Sequence, residues 1–181
     1  LSQLYSLETI HANDDSGRSS AIKALNQKER AFTLLKTEDE KFYALSDLAT
    51  LAFEAGMIEK AEAHANQLLN SAKSFPDDWN YGNAIHDANT VLGRIALKRD
   101  DVSKAEQHLL TSAKIAGSPQ LNSFGPSMDL ARELLEKGRA KVVAEYLEEC
   151  KKFWEMGQKN LDYWINDIRT KGTTDFAQHY N

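Results

Sequence analysis

Ala44-Leu45-Ser46-Asp47-Leu48-Ala49-Thr50-Leu51-Ala52 runs on through Gly56 into Ile58-Glu59-Lys60-Ala61-Glu62, and the pattern returns 44 residues later. There Ala88, Leu92-Gly93, Ala96, Val102 and Lys104-Ala105-Glu106 take the same places. A weaker copy follows 38 residues on, as Leu130-Ala131, Leu134, Gly138, Val143 and Leu147. Each copy sets apolar residues three or four positions apart, which is helical spacing, and places a small residue directly after a large one. A turn follows, then a second apolar stripe. Self-similarity at this period marks a helical hairpin that buries its apolar side only by stacking on neighbours.

Helical signals continue on both sides. Leu4, Leu7 and Ile10 make a short stripe that Asn13-Asp14-Asp15-Ser16-Gly17 is expected to break. Ala21, Ile22, Leu25, Phe32 and Leu35 make the next. Thr37-Glu38-Asp39-Glu40 has the form of a capping box, in which threonine and glutamate satisfy each other's free backbone amides. The spacing predicts helices over 38–55 and 58–74, with Gly56 as the stop between them. Asp77 or Asp78 is placed to cap a helix reaching about Arg99, and Asp100 or Asp101 one ending near Ala116. Gly117–Pro126 reads as the one long loop, with Leu121 and Phe124 as its anchors. Pro126 suits the first turn of a helix to about Lys137, stopped by Gly138. Helices over 140–156 and 158–171 complete the reading, and no alternating strand pattern occurs.

The chain is one domain over 1–181 on this reading. Residues 1–36 form an N-terminal cap, 38–75, 77–116 and 126–156 the repeat hairpins, 158–171 a capping helix with Leu161, Trp164, Ile165 and Ile168. Residues 172–181 form a polar tail held at most by Phe176 or Tyr180. A 41% apolar and 27% charged composition is that of a folded, soluble chain rather than a disordered one. A net charge of −5 without a basic block argues against nucleic acid, which demands a dense Lys/Arg footprint. No run of eighteen apolar residues is present, so membrane insertion is not expected. The one cysteine, Cys150, lies on an apolar stripe and reads as a small core residue. Leu1 opens the chain where a methionine would be expected, so its natural start is read as missing. The compartment, cytoplasmic or exported, stays open, as does the oligomeric state.

The repeat resembles the tetratricopeptide pattern over about residues 38–156. Leu48-Ala49, Leu92-Gly93 and Leu130-Ala131 take its Leu-Gly positions, and Ala61, Ala105 and Val143 its second-helix alanine. Leu45, Asn89 and Ser127 stand where that pattern has an aromatic, and the spacings exceed its ~34 residues. The resemblance implies a right-handed array of antiparallel helical hairpins, an all-α superhelix of about seven to eight helices. Gly117-Ser118-Pro119-Gln120-Leu121-Asn122-Ser123-Phe124-Gly125-Pro126, with Val91–Leu97 before it and Phe153-Trp154 after it, also resembles a group of uncharacterised bacterial proteins. That likeness spans about 80–154 and implies a bacterial source.

For function the sequence offers a binding scaffold rather than an enzyme. It has no nucleophile turn, no phosphate loop and no His pair at zinc spacing, so neither a cofactor nor a metal is expected. Mapped through the resemblance, the inner face carries Tyr43 and Phe53 for packing, Arg94 and Arg132 for the carboxylates of a protein or peptide partner, and Lys98 as a further partner-binding residue. Alternatively, each arginine pairs with a neighbouring carboxylate such as Asp87 or Glu133. A second candidate is the polar row Asn83, His86 and Asn89, since Asn competes for backbone bonds inside helices and wants partners. With Gln120 and Asn122 it forms either an anchor for the 117–126 loop or the pocket of a small-ligand-binding protein or enzyme. A purely structural subunit, the third possibility, predicts an exposed apolar patch near Trp154, Tyr163 and Trp164.

Overall fold

The structure, a computed structural model, describes residues 2–177, with the side chains of 15–177. Among these residues the protein is all-helical, 75% helix with no strands. The helices are α1 (Ser2–Phe32), α2 (Glu38–Glu54), α3 (Ile58–Ala72), α4 (Tyr81–Lys98), α5 (Val102–Ala113), α6 (Pro119–Phe124), α7 (Asp129–Glu136), α8 (Ala140–Cys150) and α9 (Gln158–Lys171). One 3-10 turn, Glu155–Gly157, precedes α9. The count of nine exceeds the expected seven to eight because the 117–126 loop contains a helix of its own.

Local chemistry sets several of the boundaries. The Thr37 hydroxyl accepts from the Glu40 amide at 3.4 Å, and the Glu40 carboxylate accepts from the Thr37 amide at 3.1 Å, so the capping box starts α2. Asp101 accepts from the Lys104 amide at 3.0 Å and starts α5. Gly56 and Gly138 follow α2 and α7 at φ +75° and +73°, a region that L side chains rarely adopt.

Four expectations are corrected. The helix is not interrupted at 13–17, because the stretch holds no proline and one helical glycine costs only about 1 kcal/mol. The side chains of Leu4, Leu7 and Ile10 lie outside the described residues, as does Tyr180. Asp78 does not start α4: its carboxylate accepts from the Asn80 amide and the Tyr43 hydroxyl, both at 2.8 Å, and the chain turns before the helix begins at Tyr81. Pro126 does not enter α7. The Ser127 amide donates to His86 Nε2 at 3.1 Å, and the Ser127 carbonyl accepts from the Tyr146 hydroxyl at 3.1 Å. These tertiary bonds hold 126–128 out of the helix. The last helix before the 3-10 turn ends at Cys150, six residues short of Met156.

Consecutive helices pack as hairpins, α2 on α3 and α4 on α5, while α2, α4 and α7 are successive neighbours. α3 also packs on α4, and α5 on α7 and α8. Small residues lie where helices meet: Ala49, Ala61, Ala105 and Ala131 are fully buried. A Cβ on Gly93 would lie 2.3 Å from Leu130 Cδ2 and 3.2 Å from His108 Cβ, so this glycine sets the approach of α4 to α7. Two apolar clusters result, one from Ala21 to Ile95 and one from Ala96 to Phe176, and they meet on α4. Phe176 lies edge-on to Trp164, with ring centroids 5.2 Å apart, and ties the start of the tail to the second cluster.

Candidate functional site

The face shared by α2 and α4 carries residues one helical turn apart: Tyr43, Ser46, Thr50 and Phe53 on one helix, Asp87, Thr90, Arg94 and Lys98 on the other. Its two ends differ.

At one end Phe53 lies beneath two cations. The Arg94 guanidinium carbon sits 4.4 Å from the ring centroid and Lys98 Nζ 5.3 Å, within cation–π range. Arg94 Nε donates to Glu133 Oε1 at 2.8 Å, and its Nη1 lies 3.7 Å from Asp129 Oδ2. The same Asp129 takes Arg132 Nη1 at 3.2 Å, on a side chain that is more than half exposed. Of the two arginine readings, pairing with carboxylates is the one the structure shows, through Glu133 and Asp129 rather than Asp87. A hollow of about 410 Å³ opens here among Phe53, Arg94, Lys98, Glu133 and Lys137.

At the other end lies a cleft of about 380 Å³ between α2, the start of α4, and the 117–127 segment. Tyr43 and Trp79 stand on its rim with ring centroids 5.5 Å apart, and Trp79 is half exposed. The Tyr43 hydroxyl donates to Asp78 Oδ2, which holds the ring in place and raises its pKa. Deeper in, Ser46 Oγ donates to Asp87 Oδ2. Burial pushes the Asp87 carboxyl above its ordinary range, with His86 and the Ser46 bond opposing. No Lys or Arg lines the cleft, and among the described residues Asp87 forms no ion pair; Asp47 on the rim is paired with Lys28.

The polar row on α4 diverges. Asn83 Nδ2 donates to Gln120 Oε1 at 2.9 Å and to Asn80 Oδ1 at 2.8 Å, while its Oδ1 accepts from Ser118 Oγ. His86 Nδ1 donates to the Ser112 carbonyl at 3.3 Å and its Nε2 accepts from the Ser127 amide. Both nitrogens are thus used by a neutral ring, and burial lowers its pKa. Asn83, His86 and Gln120 come together at the cleft. Asn89 does not join them: it turns toward α5, where its Oδ1 accepts from His108 Nδ1 at 2.9 Å. Asn122 also leaves the cleft, its amide donating to the carbonyls of Ser118 at 3.1 Å and Phe153 at 3.0 Å. Leu121 anchors the segment in the core as expected, but Phe124, at the end of α6, is 77% exposed. Among the described residues the patch expected near Trp154, Tyr163 and Trp164 does not form, since both tryptophans are buried, 6.0 Å apart, and Tyr163 is partly buried against the same core.

Sequence reasoning missed Trp79 as a rim residue and Asp87 as an unpaired carboxylate. A signal for Asp87 existed: the positions three and four away on its helix are Asn83, Ala84, Thr90 and Val91, none of them a cation. Comparison with known protein families, curated proteins and solved structures finds no match. Among the described residues no helix is long and apolar enough to cross a membrane.

Proposed function

We propose that this chain is a non-catalytic interaction module that binds an extended segment of a partner protein along the face of α2, α4 and α7, as its tetratricopeptide-like repeat implies. The observation that carries the reading is the open cleft rimmed by Tyr43 and Trp79. Large aromatics standing at an open cleft are the usual anchors of protein recognition. A catalytic use is less well supported. His86 has both ring nitrogens engaged, and burial raises the Cys150 thiol to about 12, leaving no thiolate at neutral pH. The arginine end contributes packing and shape, because its guanidiniums already have carboxylate partners.

A random-peptide display selection tests this, using wild type beside Ser46→Trp, which fills the cleft, and Trp79→Ala, which removes its rim. Families of related peptides enriched on wild type and lost on both folded variants are expected. The same peptides enriched on all three proteins would overturn the assignment. A second reading, a free small ligand in the same cleft, draws on its volume, which falls in the roughly 300–1,000 Å³ range of small-molecule sites. Thermal shift with metabolites and no peptide enrichment would move the conclusion there.

A further inference from the structure

Resting on that reading, we infer that the cleft receives the cationic side chain of a lysine or arginine in the bound segment, held between the Tyr43 and Trp79 rings and the Asp87 carboxylate.

The argument starts from what the cleft lacks. Asp87 lies on the wall of a concave site, one carboxylate oxygen fixed by Ser46, and no cation of the described residues pairs with it. A carboxylate withdrawn from water is unfavourable unless it gains a countercharge. Elsewhere on the same face the chain supplies such partners: Glu133 and Asp129 face Arg94, and Asp47 faces Lys28. At Asp87 the countercharge is left to come from outside.

The rim fits that occupant. Aromatic faces attract ammonium and guanidinium groups, and the attraction grows as water leaves the site. The protein already uses this geometry at its other end, where Arg94 and Lys98 lie over Phe53. The Asp78 carboxylate, held by Tyr43 and the Asn80 amide, adds negative potential beside the rim. Asn83, Gln120 and Ser127 complete the lining without a positive charge. An anionic guest would meet Asp87 unopposed, and an aliphatic one would cover that half-buried carboxylate without a countercharge.

The position of the cleft favours a side chain on an extended segment. Asp87 and Arg94 are seven residues apart on one helix, a rise of about 10 Å. Three residues of extended chain cover that distance. One segment can therefore seat a basic side chain at Asp87 and lie over the Phe53 hollow.

The test uses fluorescein-labelled heptapeptide pools, randomised except for a central lysine, arginine, norleucine or glutamate, with n-butylguanidinium as a free probe. Binding is read by polarisation against wild type, Asp87→Asn and Trp79→Ala, with competition by the free probe. The lysine or arginine pool should bind about tenfold tighter than the norleucine pool, and Asp87→Asn should erase that preference. Asp87→Asn keeps the acceptor for Ser46 and removes only the charge. Equal binding of the basic and norleucine pools, unchanged in Asp87→Asn, would overturn the cationic occupant and leave the peptide reading standing. Binding of n-butylguanidinium alone, lost in Asp87→Asn, would overturn the peptide as its source. Silence from every probe would overturn both.

Discussion

Phe42 and His86 stand at the same place in two successive hairpins, as do Leu45 and Asn89, and His64 and His108. In α2/α3 the first pair is apolar, and His64 Nδ1 is buried with no hydrogen-bond partner. In α4/α5 both residues are polar, and His108 Nδ1 finds Asn89. All four positions on α2 and α4 are nearly or fully buried, so depth does not separate the two hairpins. What separates them is how each holds the chain that follows it. Phe42 stacks on Phe75, just beyond α3, with ring centroids 5.0 Å apart at 15°. His86 instead joins the Ser112 carbonyl in α5 to the Ser127 amide beyond α6. A stack tolerates sliding, whereas two hydrogen bonds on one ring fix a register. The second hairpin is thus the one in which the loop beside the cleft is placed to fine tolerance.

That difference can be broken at three points. The largest effect is expected at Gly82, where an added Cβ would lie 2.2 Å from the Gly117 carbonyl oxygen, a backbone atom that cannot swing away. Its counterpart in the first hairpin, Glu38, is exposed. Gly82→Ala should cost about 3 kcal/mol in urea unfolding, and Glu38→Ala almost nothing. Equal effects would mean that the 117–127 segment is not packed on α4.

The next expected effect comes from making the second hairpin resemble the first. His86→Phe leaves the Ser112 carbonyl and the Ser127 amide without their partner and should cost about 2 kcal/mol at pH 8. It should also change the pH profile. Burial lowers the pKa of His64, His86 and His108 below 6.5, so below that pH the unfolded chain binds protons that the folded chain resists. The part of the stability that depends on these neutral histidines is complete above about pH 6.5 and declines as the pH falls below that value. His86→Phe should flatten part of this decline, visible as a shallower fall of the melting temperature between pH 7 and 5. An unchanged slope would show that His86 titrates normally.

The smallest expected effect has the opposite sign. Tyr43 occupies the place in α2 that Asp87 occupies in α4. Because the folded-state pKa of Asp87 is raised, its charge destabilises the protein at neutral pH, and the penalty disappears as the carboxyl takes up a proton in acid. Asp87→Asn should therefore raise the melting temperature at pH 7, with the gap to wild type closing toward pH 4. A variant that melts lower at pH 7 would make Asp87 a structural residue rather than one kept for a partner.

The hairpins were legible in the sequence because helix periodicity, glycine stops and the Thr37 box are local signals that tertiary packing reinforces. So was the small-residue register at Ala49, Gly93 and Ala131, since close helix approach leaves few residue choices. The site was less legible. Asn83 and Asn89 share a helical stripe, and Gln120 was expected beside it and does meet Asn83, but Asn89 turns to His108 on an element whose placement no local pattern encodes. α6 was hidden because Gly117, Pro119, Gly125 and Pro126 read as a loop, although Ser118 caps it and Pro119 suits its first turn. The arginine pairing was legible in part: Glu133 stood among the expected partners, whereas Asp129 and Glu133 reach Arg94 only once α7 packs on α4.

The two apolar clusters meet within α4, between Ile95 and Ala96. Either half of the protein can therefore loosen while α4 stays packed against the other, and the order of loss follows from that. Frayed ends and single hairpins go first, in small openings that leave the shared helix in place. Asn83, His86 and Asp87 ride on the helix that both clusters share, so the α4 wall of the cleft is expected to persist through partial openings at either end.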